Sequence, residues 1–187
     1  MDKRKEVLIA ALKETDEDVR KAAAWALEKL QARDRLEELR KKLASGAMLE
    51  KIRVIYALSD LRGQSIAEAL AAALKDPSED VRAAAARALG SLGDSSALQA
   101  LVEALKDESE MVVRAAVEAL SGFRDKRLLG PLVHALKHKD PGVVERAIEA
   151  VSMIGDKRAE DALLHFARNG NRSMKSVALK GLGVMDR

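Results

Sequence analysis

Two histidines, His134 and His165, stand 31 residues apart, and Glu103 precedes them by the same interval. Imidazole and carboxylate groups are ordinary zinc ligands, so this series raises metal chemistry first. A zinc site needs three or four donors converging on one point, and side chains on neighbouring helices start about 10 Å apart. No further donors accompany these residues, and the expectation is that no metal is held. A chain without cysteine is closed to thiolate catalysis and disulfides. No glycine-rich phosphate loop follows a strand pattern, no nucleophile elbow is present, and paired carboxylates are accounted for by helix surfaces. Gly90-Ser91-Leu92-Gly93 reads as a helix end. The expectation is therefore no catalytic residue, no cofactor and no enzyme. Recognition remains, and its strongest carriers are the single tryptophan and single tyrosine, Trp25 and Tyr56, again 31 residues apart.

That interval is the period of the whole chain. Ser78–Asp94 aligns with Ser109–Asp125 at an offset of 31 without insertion, and the register divides the 187 residues into units 1–32, 33–63, 64–94, 95–125, 126–156 and 157–187. Each unit reads as two short helices, which predicts twelve in all. In the third, Ile66, Ala67, Leu70, Ala71 and Leu74 recur at helical spacing. Lys75-Asp76-Pro77-Ser78 breaks the pattern, and Val81, Ala85, Ala88, Leu89 and Leu92 resume it. Ser78, Glu79 and Asp80 carry N-terminal cap chemistry, and Gly93 stands where a C-cap would. One such hairpin cannot bury its apolar stripe alone, so neighbours must stack.

Columns at the period separate core from surface. Leu27, Leu58, Leu89, Leu120, Val151 and Leu182 form one core column. Ala26, Ala57, Ala88, Ala119, Ala150 and Gly181 form a second, whose small side chains let helices approach. Leu8, Leu39, Leu70, Leu101, Leu132 and Leu163 form a third, on the first helices. Glu50 interrupts the column of Val19, Val81, Val112, Val143 and Met174; a slightly rotated helix that lets it reach water, Lys51 or Arg53 is the expectation.

The string Asp80-Val81-Arg82-Ala83-Ala84-Ala85-Ala86-Arg87-Ala88-Leu89-Gly90, echoed from Asp18 to Leu27, resembles the short HEAT-like repeats named after phycobilisome lyases. The resemblance covers essentially all six units and implies an all-α, right-handed α-solenoid of 31-residue two-helix repeats in one domain, 1–187. Such repeats occur in bilin lyase subunits, in a metal-dependent hydroxylase, in relatives of DNA glycosylases and in scaffolds, so the fold does not transfer an activity. The hydroxylase's adjacent His-Glu pairs are absent here: the three histidines precede Ala135, Lys139 and Phe166.

The second helices of such solenoids line the concave face, which places the reading surface in the column Trp25, Tyr56, Arg87, Glu118, Glu149, Lys180. Its neighbour is Lys21, Ile52, Ala83, Arg114, Glu145, Ser176. Trp25 and Tyr56 with Leu49 and Ile52 predict an apolar patch, followed by a mixed stripe of Arg87, Arg114, Glu118, Glu145 and Glu149. A protein or peptide ligand on the concave face is the primary reading. A nucleic-acid-associated protein and a bilin lyase-like subunit are the alternatives. Charge by unit runs 0, +3, −2, −3, +1 and +4, an acidic middle that argues against a continuous phosphate track. The basic residues at the two ends, among them Arg33, Arg40, Lys157 and Arg172, read as solvated helix faces and loops. Without an 18-residue apolar run, the chain reads as a soluble, cytoplasmic protein with no membrane partner. Arg4 and Lys5 occupy otherwise apolar columns and suggest a polar capping helix. Val177, Leu179, Val184 and Met185 lack that device, and a homodimer or partner contact through the C-terminal repeat is expected there.

Overall fold

A computed structural model describes residues 3–59, 61 and 64–185. Met1, Asp2 and the side chain of Arg33 lie outside the described residues. Contacts divide the chain into two units, Met1–Gly46 and Ala47–Arg187. Eleven α-helices and no strands occur among the described residues.

The first unit holds α1 (Lys3–Ala11) and α2 (Glu17–Ser45). Asp16 starts α2: its carboxylate accepts from the Asp18 N–H at 2.8 Å and the Val19 N–H at 3.2 Å, satisfying donors that a helix start leaves unpaired. This 29-residue helix corrects the expectation of twelve helices. The second helix of the first repeat and the first helix of the second run together. The sequence shows why. Later repeats stop this helix with Gly93-Asp94 or Gly155-Asp156, but the matching pair here is Gln31-Ala32, two good helix formers. No residue of α1 is buried, and Leu8, Ala26, Leu27 and Leu39 are only half-buried, short of the core role expected. Lys5, expected on a polar outer face, pairs with Asp34 at 2.6 Å.

The second unit holds α3 (Met48–Ser59), α4 (Gln64–Ala73), α5 (Glu79–Leu92), α6 (Leu98–Ala104), α7 (Glu110–Ser121), α8 (Leu129–Ala135), α9 (Pro141–Ile154), α10 (Glu160–Asn169) and α11 (Arg172–Val184). A 3-10 turn precedes each of α6, α8 and α10. Asp94, Asp125 and Asp156 open these turns by accepting the N–H two residues on, from Ser96, Arg127 and Arg158. Successive second helices pack on one another, α3 on α5, α5 on α7, α7 on α9 and α9 on α11, while each first helix packs on its own second helix. First helices meet one another far less.

The core columns hold through this unit. Leu58, Leu89, Leu120, Val151, Leu70, Leu101, Leu132 and Leu163 are fully buried. Ala88, Ala119, Ala150 and Gly181 are buried too, but Ala57 and Leu182 are not, which corrects the two columns at those places. The small column acts as expected between layers. A Cβ added to Gly90 on α5 would lie 2.7 Å from the Ala119 Cα on α7, and one added to Gly181 on α11 would lie 2.6 Å from the Ser152 Cβ on α9. Gly93 and Gly155 end α5 and α9 at φ 67°, the left-handed cap expected for Gly93; Arg124 takes the matching place after α7 at φ 49°. Ser78 differs from its expectation. Its side chain caps nothing, and its own N–H is bound at 2.9 Å by Asp76, the aspartate of the preceding turn.

Candidate functional site

Polar clasps between layers set the frame on which any recognition surface stands. Lys51 on α3 reaches Asp76 in the next turn at 2.6 Å. Arg82 on α5 takes both oxygens of Asp107 at 2.8 Å and also donates to the Asp76 and Pro77 carbonyls at 2.9 and 3.1 Å. Arg114 on α7 reaches Asp140 at 3.0 Å. In the first unit Arg20 donates to the Glu14 and Thr15 carbonyls, both at 2.8 Å, in the place Arg82 uses for its own turn. Sequence reading missed this set, although Asp18-Val19-Arg20 and Asp80-Val81-Arg82 were its visible trace. Burial raises the Asp107 carboxyl, but hydrogen bonds from Arg82 and the Ser109 N–H, with the Arg82 charge, outweigh it and hold the group below the usual carboxylate range. Hydrogen bonds from Arg127 and Arg158 lower Asp125 and Asp156, the latter strongly, and the Val143 N–H, with Arg114 and His138 nearby, does the same for Asp140.

Glu50 is exposed, as expected, while its neighbour Lys51 is spent on Asp76. The helix is not rotated as expected: Val54, Ile55 and Leu58, its buried residues, stand in the columns of buried Ala85, Ala86 and Leu89 on α5.

The expected reading surface divides between the two units. Trp25 belongs to the first, where it is 63% exposed, has the Lys29 ammonium 5.9 Å from its ring centre, and lines a shallow 310 Å³ cleft with Leu8 and Leu30. Leu49, Ile52 and Tyr56 belong to the second. They sit at i, i+3 and i+7 on α3, with Leu49 63% and Tyr56 57% exposed and Ile52 half-buried. Arg87 on α5 and Glu118 on α7 continue the row into solvent with no side-chain partner among the described residues. Three other members are partly used within the protein. Arg114 clasps Asp140, Glu145 accepts a hydrogen bond from the Ser173 hydroxyl, and Glu149 pairs with Arg146 at 3.1 Å. Ala83, expected in the neighbouring variable column, is fully buried, so α5 offers a narrower surface than the helices around it.

His134 and His165 are both exposed. His165 hydrogen-bonds Asn169 at 3.3 Å and meets Phe166 edge to face. Among the described residues no group of three or more histidine, aspartate or glutamate side chains could hold a metal ion. No helix there is long and apolar enough to cross a membrane.

The model of the HEAT repeats family matches residues 49–121 and 107–183, most of the chain. The chain belongs to the HEAT-repeat family. A PBS lyase HEAT-like repeat is matched as well, at residues 19–45, in agreement with the resemblance read from the Asp-Val-Arg strings. No curated protein matches this HEAT-repeat sequence. Among solved structures, a designed armadillo repeat protein in complex with the peptide (KR)4 is similar at 20% identity and a TM-score of 0.63, covering 99% of this chain and 100% of that one. The complex of CpcE and CpcF of phycocyanin lyase from Nostoc sp. PCC7120 matches at 23% identity and 0.56, over 96% and 76%. Human deoxyhypusine hydroxylase matches at 22% and 0.59, over 82% of this chain and 63% of that one. These likenesses show an armadillo- and HEAT-like α-solenoid, the fold that the resemblance implied.

Proposed function

We propose that this HEAT-repeat protein is a non-enzymatic scaffold of the cytoplasm that holds a peptide, or an extended segment of a partner protein, along α3, α5, α7, α9 and α11. One observation carries the reading: Tyr56, Arg87, Glu118, Glu149 and Lys180 stand one per layer, exposed or half-exposed, on helices that each bury another face. Layers about 10 Å apart match roughly three residues of an extended chain rising ~3.3 Å per residue. The ligand that fits has an aliphatic or aromatic anchor for Leu49, Ile52 and Tyr56, and basic residues two to three layers on for Glu118, Glu145 and Glu149. The peptide complex of the designed armadillo protein supports this mode of use.

Selection of displayed random twelve-residue peptides on the wild-type protein supplies ligands for the test. Tyr56→Ala should weaken them about tenfold, and the pair Glu118→Lys and Glu149→Lys should reject the basic ones, with melting temperatures close to wild type because Tyr56 and Glu118 are exposed and Glu149 loses only a half-exposed pair with Arg146. Trp25→Ala asks whether the same ligand uses the first unit. Ligands bound equally by every variant would overturn the reading, as would salt-sensitive retention of DNA in their place or product in a bilin-transfer assay. We also propose a second contact at the last repeat, where Leu179 and Val184 are 59% and 70% exposed. A second copy or a partner covering them would appear as a faster-sedimenting species that Leu179→Glu abolishes.

A further inference from the structure

We infer that the first-helix side of the second unit carries a separate binding groove, between α6 and α8, for an acidic peptide with an apolar anchor. Because first helices meet one another so little, the space between these two stays open. It forms a cavity of about 660 Å³, floored by Val102, Leu105, Val113, Pro131 and Ala135. Such a volume is that of an ordinary ligand site. Val102 and Pro131 also line an adjoining cavity of about 490 Å³ that continues toward the starts of the same helices, with Arg127 on its wall. The result is one long trough rather than a closed cell. The span Ser95–Ala104 rises about 15 Å, enough for roughly five extended residues, which suits a peptide better than a compact small molecule.

The rim decides the charge of the occupant. Lys106, His134, Lys137 and His138 line the larger cavity and no carboxylate does, although the fourth repeat has the most acidic balance of the six. Lys106 and Lys137 are exposed and make no salt bridge among the described residues. His138 occupies the turn position held elsewhere by Asp76 and Asp107, and its Nδ1 accepts the Asp140 N–H at 3.0 Å. With Nδ1 the acceptor in that bond, the ring nitrogen left to donate is Nε2. Glu103, the nearest acid on α6, accepts from Gln99 at 3.1 Å and is not part of the lining. Lysines at helix C-termini also compensate the helix dipole, which accounts for Lys75 and Arg168 in the same column. What sets Lys106 and Lys137 apart is the apolar floor between them.

Gly130 supplies an independent observation. It is the second residue of α8 and directly precedes Pro131, whose ring crowds a Cβ on a helical residue before it; outside its chain neighbours an added Cβ would meet nothing within 4 Å. No other layer requires it. The matching residues of the other repeats are Glu6, Glu37, Glu68, Gln99 and Asp161, side chains that would project at this place; Gly130 leaves the trough unobstructed and removes a charge that would repel an acidic ligand.

Amide spectra of the isotope-labelled full chain test this directly. Three capped eight-residue peptides are titrated, one of glutamates around a central Leu-Phe pair, one with lysines replacing the glutamates, and one with alanines replacing Leu-Phe; decanoate is the fourth probe. The glutamate peptide should shift the amides of Lys106, His134, Lys137 and His138 and bind at least tenfold more tightly than the other three. Lys106→Glu with Lys137→Glu should transfer the preference to the lysine peptide. Gly130→Trp should abolish binding while its far-UV circular dichroism stays that of wild type, which separates a blocked groove from an unfolded one. Tyr56→Ala should leave this binding intact, so failure here is distinguishable from failure of the second-helix surface. No shift at those four amides, binding insensitive to Gly130→Trp, or decanoate binding more tightly than the peptide would each overturn the proposal.

Discussion

The sharpest consequence of the layer packing concerns the pair Ser152 and Gly181. Gly181→Ala places a Cβ 2.6 Å from the Ser152 Cβ and 3.2 Å from Leu163 Cδ1. Rotating the serine hydroxyl cannot relieve a contact with its Cβ, so α9 and α11 must part by about 1 Å to restore ordinary separation. Overpacking of this kind costs about 1–3 kcal/mol, against which alanine returns about 1 kcal/mol of helix preference. For a contact as close as 2.6 Å the cost lies toward the upper end of that range, so the net loss should approach about 2 kcal/mol, or roughly 4–8 °C in melting temperature for a chain of this length. Ser152→Gly removes the obstructing atoms together with a buried hydroxyl that has no hydrogen-bond partner among the described residues. With Gly181→Ala it recreates the Gly90–Ala119 contact one pair of layers earlier. The double variant should therefore return to within about 0.5 kcal/mol of wild type, giving a coupling of about 1–3 kcal/mol in a cycle measured by urea unfolding at 222 nm. If Gly181→Ala proves as stable as wild type, or the two effects simply add, close approach of α9 and α11 is not what the glycine is for.

Three further outcomes follow from the clasps and caps. Arg82→Ala should cost about 3 kcal/mol, because Asp107, only 13% exposed, loses its charge partner, and Arg82→Ala with Asp107→Ala should cost clearly less than the sum of the single variants in the same urea assay. Arg124→Gly should raise the melting temperature by a few degrees, since Arg124 holds φ 49° where the matching residues are Gly93 and Gly155; an unchanged or lower value in a thermal scan would contradict a strained cap. Asp107, Asp125, Asp140 and Asp156 all titrate below the ordinary aspartate value of about 3.9 in the folded chain, so their contribution is fully present above that pH and is lost as the pH falls through the lowered values. The urea midpoint should accordingly be level from about pH 5 upward and drop below about pH 4, and a midpoint unchanged down to pH 2.5 would remove these carboxylates from the account.

What a column comparison can read is what each layer repeats. Leu89, Leu120 and Val151 were legible because burial within a layer recurs at the period, and α2 was legible in principle from the missing Gly-Asp pair at Gln31-Ala32. The contacts that join layers are diagonal. Arg82 meets Asp107 across 25 residues, Arg114 meets Asp140 across 26, and Ser152 faces Gly181 across 29, so none falls in a column at 31. The same geometry governs the two candidate surfaces. The row through Tyr56, Arg87 and Glu118 follows the period and was foreseen. The trough between α6 and α8 follows from how little first helices touch, and no residue type announces that spacing. Diagonal clasps also occupy part of the row: Arg114 and Glu145 tie neighbouring layers, whereas the side chains of Leu49, Tyr56, Arg87 and Glu118 make no such tie among the described residues. Substitutions at those four should alter binding with little effect on stability, whereas Arg114 should couple the two.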